Sequence, residues 1–153
     1  MKQRKIFIQI SAVTRYLLIF LFTYAGISKL IDHDNFYTSI LLSPVIRNQA
    51  LIIVWFVPMA ELLIVVLLLS NKYRQTGLFF SLLLMMIFTV YIVYMILFIR
   101  DLPCSCGGIL KELSWSNHIL FNSFFILIIT ISLLFNSQHK LFIAINRTSR
   151  KPV

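Results

Sequence analysis

Two cysteines stand one residue apart in Pro103-Cys104-Ser105-Cys106-Gly107-Gly108, and the chain has no others. Thiols at that spacing can do three things. They can close on each other in a small, strained ring, and strained or exposed disulfides are the more oxidising, readily exchanged ones. They can join a metal, but tetrahedral zinc takes four ligands and the chain adds only carboxylates and three scattered histidines, His33, His118 and His139, so no metal is assigned. They can also form a structural bridge or stay inert in a turn, although a loop closed over one residue removes little chain entropy. Gly107 and Gly108 favour exchange, because they let the backbone turn sharply and leave room for another chain near the sulfurs.

His118 follows Cys106 by twelve residues. Across a loop of that length its imidazole can polarise a thiol or take its proton, and thiolate is the attacking species. The plain alternative is an interfacial histidine with its ring among lipid headgroups. Asn122 lies one helical turn further on the same face, and Trp115 reads as an interface anchor. Glu61, in Val57-Pro58-Met59-Ala60-Glu61-Leu62, is the one acid inside an apolar block. Its partners are sought at Tyr91, at Asn122 and at the Gly26-to-Lys29 end of the first helix. Such a group could serve a ligand or a proton path, or act as hydrogen-bonded glue between helices.

These residues sit in a chain of 153 that is 59% hydrophobic and 12% charged, too few polar side chains to coat a water-soluble domain. The apolar residues fall into four blocks, about 6–30, 50–70, 78–99 and 119–135. Each suffices to cross a hydrocarbon layer of ~30 Å, which takes about 20 helical residues. The fold class is therefore all-α: one polytopic domain over 1–153, a four-helix transmembrane bundle with a basic tail at 136–153. The basic start and long first block read as a retained signal anchor. Ser43-Pro44, Asn71 to Gly77 and Pro103 punctuate the blocks. At ~1.5 Å per residue from Ala50, Glu61 lies about 16 Å deep, where a charge costs several kcal/mol unless paired or neutralised.

Lysine and arginine set the orientation, because cytoplasmic loops are enriched in them. Lys2, Arg4, Lys5, Lys72, Arg74, Lys140, Arg147, Arg150 and Lys151, nine of the fourteen basic residues, fall on one side. Both termini are therefore expected in the cytoplasm, with 31–49 and 100–117 on the outer face. That side oxidises thiols, which favours redox use of Cys104 and Cys106. The net charge of +9 follows from topology, so no nucleic-acid partner is expected. The tail's basic residues flank Leu141 to Ile145 and suit anionic headgroups.

Several of these residues fall into a recognisable set: Ala25-Gly26-Ile27-Ser28-Lys29-Leu30 with Asp32 and Phe36, Pro58-x-x-Glu61-Leu62, Phe88-Thr89-x-Tyr91, and Cys104-x-Cys106-Gly107-Gly108 with Trp115 and His118. The set resembles the MauE/DoxX-like redox-associated membrane proteins across all four blocks. That resemblance implies a bacterial inner-membrane bundle working in envelope thiol chemistry with a thioredoxin-like periplasmic protein. In methylamine metabolism, the family's namesake is tied to disulfide formation in a maturing dehydrogenase. Lys29, Glu61, Tyr91 and His118 match motif positions.

The expected function is thus a membrane thiol/disulfide redox component. Cys104, Cys106 and His118 would do the exchange. A pocket near Glu61, Tyr91, Asn122 and Lys29 would hold a lipid-soluble acceptor, of which a quinone is one kind, or a proton path. A non-enzymatic membrane partner that assembles an envelope enzyme is the second reading. A small proton-coupled transporter is the third, against which stand the single intramembrane acid and the lack of an inverted repeat.

Overall fold

The computed structural model describes the backbone of residues 2–98 and 115–148 and the side chains of residues 9–98 and 117–134. Within them the chain is helical, with no strand. Helix α1 runs Lys2–Ile31, α2 His33–Leu42, α3 Ala50–Leu69, α4 Arg74–Phe98 and α5 Trp115–Thr148, with a single 3-10 turn at Arg47–Gln49. The stretches Gln9–Ile31, Arg47–Leu69, Arg74–Phe98 and Asn117–Leu134 are long and apolar enough to cross a membrane. The four-helix transmembrane architecture expected from composition is the one found. The cysteines, and the tail beyond Thr148, lie outside the described residues.

Helix α1 starts at Lys2 instead of about residue 6, and three further features differ from the expected ones, each for a local reason. Helix α5 continues past residue 135 to Thr148, because no Gly or Pro interrupts 116–148 and polar Asn136 to His139 cost a helix little. Helix α4 begins at Arg74, so Gly77 lies in its first turn instead of the connection; its N–H donates to the Tyr73 carbonyl at 2.9 Å. Helix α2 was not anticipated in the 31–49 stretch. Phe36, Tyr37 and Ile40 recur there at helical spacing and pack with Ala50 and Val54 of α3, and Asp34 sits in the first turn, where a negative charge suits the helix dipole.

In space α1 packs against α3, α3 against α4, α4 against α5, and α5 closes back on α1. The centre is filled by Leu18 and Phe22 of α1, Leu68 of α3, Met85 of α4, and Phe125 and Ile129 of α5. Phe20, Leu51, Leu97 and Leu120 stay exposed around the outside. That surface is unfavourable in water but ordinary in hydrocarbon, where helices associate through close packing and polar contacts.

Antiparallel register follows from a few cross-helix contacts. Arg15 Nη1 donates to Asn71 Oδ1 at 3.4 Å, a Cβ on Gly26 would lie 3.2 Å from Leu62, and the rings of His33 and Trp55 stand 4.9 Å apart. Helices α1 and α2 thus climb α3 in succession. At the other end Ser132 Oγ donates to Ser11 Oγ at 3.0 Å. Equal rises from that contact reach Ala25 on α1 and His118 on α5, so α5 begins at about the height of Pro58 to Leu62.

Candidate functional site

A long apolar helix can carry a carboxylate only if a neighbour supplies the counter-charge. Helix α3 directs Glu61 inward, on the face shared by Val54, Pro58, Ile64 and Leu68. Its partner comes from the last turns of α1. Lys29 Nζ lies 2.7 Å from Glu61 Oε1, with the lysine side chain 13% exposed and the glutamate 1%. Gly26 eases that approach: without a side chain, α1 settles beside Leu62 and the Pro58 carbonyl with no adjustment of the Leu62 rotamer.

The ammonium is held on several sides. It also points toward the Ala25 carbonyl at 3.4 Å. The rings of Phe36 and Phe88 stand 5.8 Å and 5.9 Å from it, within cation–π range. Glu61 is less fully satisfied: its second oxygen, Oε2, is buried without a hydrogen-bond partner. A buried acceptor left in that state is costly and is the least ordinary polar feature among the described residues.

Tyr91 sits nearer the α2 end of the bundle and uses its hydroxyl elsewhere. It donates to Ser43 Oγ at 2.9 Å, and the fully buried Ser43 in turn points to Met95 Sδ at 3.9 Å. Of the three partners considered for Glu61, the structure pairs it with the Lys29 end of α1, while the Tyr91 link to Ser43 ties the end of α2 to α4. Tyr91→Phe should lower stability by about 1 kcal/mol, the ordinary net worth of one hydrogen bond, while leaving the helices intact. Unfolding in mixed micelles measures it; a loss of several kcal/mol would mean that the hydroxyl does more than tie these two elements.

His118 and Asn122 are both buried. With Phe125, Ile129 and Ser132 they form one inward stripe along α5 at three- and four-residue spacing. His118 therefore faces the bundle and not the headgroups, at about the height of Glu61 by helical rise. Cys104 and Cys106 fall outside the described residues, between the end of α4 and the start of α5. So the structure joins Lys29 to Glu61, places His118 and Asn122 on an inward face, and links Tyr91 to Ser43. Sequence alone does not mark Phe36, Phe88 or Ser43 as site residues, and Ser43 stands there only as punctuation. Phe36 and Phe88 did stand in the same motif set as Lys29 and Glu61, and that co-occurrence was the available signal.

No curated protein and no solved structure matches the chain. A family model described as methylamine utilisation protein MauE matches residues 8–135. The match runs through the Lys29–Glu61 pair, the cysteines and the inward stripe of α5, and takes in all four candidate membrane spans. This chain, a multi-pass membrane protein, belongs to the MauE family.

Proposed function

We propose that the protein is a thiol/disulfide redox component of the bacterial cytoplasmic membrane, with both termini in the cytoplasm and Cys104 and Cys106 on the outer face. The distribution of Lys and Arg supports that orientation. One observation carries the reading. The only two cysteines occupy the connection from α4 to α5, and α5 opens with a buried histidine at about the height of a buried ion pair. An imidazole and a charged pair thus share a height within an otherwise apolar bundle, and the two thiols stand in the chain segment that leads into that imidazole's helix.

In the exchange, a thiolate of a thioredoxin-like partner attacks the Cys104–Cys106 disulfide and forms a mixed disulfide. The partner's second thiolate then releases the pair as two thiols, so the partner is oxidised and this chain reduced. His118 takes or returns the thiol proton. Reoxidation re-forms the Cys104–Cys106 bond and sends two electrons and two protons to a lipid-soluble acceptor near Glu61, Lys29, Tyr91 and Asn122.

Thiol trapping in intact membranes tests this. Both cysteines should shift between alkylated and disulfide forms as the medium is made reducing or oxidising, and a Cys106→Ser variant should accumulate a mixed disulfide through Cys104, or the converse. Cysteines fixed in one state under every condition sink the proposal. If Cys104→Ser with Cys106→Ser leaves client maturation intact, the chain is an assembly partner and not a redox protein.

A further inference from the structure

Resting on that redox reading, we infer that the Lys29–Glu61 pair is the binding site for the head of a quinone-class acceptor, with Phe36 and Phe88 as its aromatic walls. The argument begins with what the pair leaves unused. Glu61 is 1% exposed, and its Oε2 has no partner. Lys29 directs protons at Glu61 Oε1 and the Ala25 carbonyl, and an ammonium has three. The pair therefore offers an empty acceptor and a spare donor a few ångströms apart, inside a hydrocarbon-spanning bundle.

A ring bearing oxygens answers both needs. A quinone carbonyl accepts from Lys29, and the hydroxyl of the reduced ring donates to Glu61 Oε2. The Phe36 and Phe88 rings, 5.8 Å and 5.9 Å from the ammonium, put aromatic surface next to the donor that a flat head group would stack on. Lys29 is the partly exposed member, 13% against 1%, so an incoming carbonyl meets the ammonium first and the carboxylate after it. Site chemistry of this kind, apolar walls with a few placed polar groups, is what small-ligand sites generally show.

The step balances. Two thiols and one quinone give one disulfide and one quinol: the sulfurs lose two electrons and two protons, and the ring oxygens gain both. Glu61 Oε2 holds the hydrogen bond of the quinol hydroxyl once it forms, and Lys29 favours the negative charge that develops on the ring oxygen as electrons arrive.

Decylubiquinone titrated into the full-length protein in lipid nanodiscs, followed by tryptophan quenching, tests the site directly. Wild type should quench saturably, and Cys104→Ser with Cys106→Ser should bind equally well. Lys29→Met with Glu61→Gln, which leaves no lone buried charge, should weaken binding about tenfold or more, as expected for losing a hydrogen bond to a charged group. No saturable quenching in wild type, or unchanged affinity in the folded double variant, overturns the inference. A photoreactive azidoquinone on wild type decides the matter without any variant: label on peptides carrying Phe36 or Phe88 supports the site, and label confined to other segments refutes it. Failures of the two proposals separate cleanly. Quinone binding beside thiols that never change would remove the redox reading and leave the site, whereas cycling thiols without quinone binding would do the reverse.

Discussion

Lys29→Met should cost the bundle about 3–5 kcal/mol, the usual penalty for removing one partner of a buried ion pair. A charge stranded near the middle of a bilayer costs about 2.5–3.5 kcal/mol on the insertion scale, so two independent routes give the same size. Glu61→Gln should cost less. It leaves a lysine that is 13% exposed, still near the Ala25 carbonyl and between two aromatic rings, where long basic side chains shift toward the interface at modest cost. The double variant Lys29→Met with Glu61→Gln should recover much of the Lys29→Met loss, because neutral partners need no counter-charge. Unfolding of all four proteins in mixed micelles closes the cycle. Additive losses would show that the two residues do not interact in lipid, and the functional site described above would lose its foundation.

The long helices and their number were legible because a bilayer imposes a length: about 20 apolar residues per crossing is a constraint that composition alone reveals. Glu61 was legible for the same reason in reverse, since an acid in such a block demands a partner. The lysine end of α1 was among the partners considered, and charge arithmetic favours it over Tyr91 or Asn122. What stayed hidden depends on tertiary contact. Helix α2 exists because Phe36, Tyr37 and Ile40 find Ala50 and Val54 of α3, and ten residues are too few to be helical in isolation. Tyr91 chose Ser43 because α2 brings the end of its chain against α4, which could not be foreseen while 31–49 read as a loop. The inward stripe of α5 was half visible: His118 and Asn122 share a face by spacing, but an all-apolar helix does not say which face is inner.

Height is the property that connects these pieces. Helix α5 starts at about the height of the Lys29–Glu61 pair instead of level with the α2 end, as the Ser11–Ser132 and Gly26–Leu62 contacts require. The first buried side chain among its described ones is therefore a histidine, at about the height of the only ion pair found between helices among the described residues. A bundle of four helices matched end to end would put His118 at a surface, where it could serve neither a thiol nor a buried ligand differently from bulk water. The stagger sets His118 at depth instead, where the proposed proton transfer would have to take place.

Gly77→Val, which adds three carbons at a tight helix contact, should cost about 1–3 kcal/mol as overpacked cores do. Helices α3 and α4 are joined by a tight connection at 70–73 and must come together at once. A Cβ on Gly77 would stand 3.0 Å from both the Leu68 backbone nitrogen and Leu68 Cδ2. The side-chain carbon could rotate away, but the nitrogen belongs to α3 and moves only with the helix. Alanine at this position gains up to about 1 kcal/mol of helix propensity, which offsets part of the clash, so Gly77→Ala should fall between wild type and Gly77→Val. Gly26 offers the contrast. Its nearest contacts are Leu62 side-chain atoms at 3.2 Å, with the Pro58 carbonyl oxygen at 3.4 Å, so a rotamer shift can absorb one methyl group. Gly26→Ala should be nearly neutral by the same unfolding measurement. If it costs as much as Gly77→Ala, then the spacing of α1 and α3 is as rigid as the α3–α4 turn, and Lys29 reaches Glu61 across a contact with no slack.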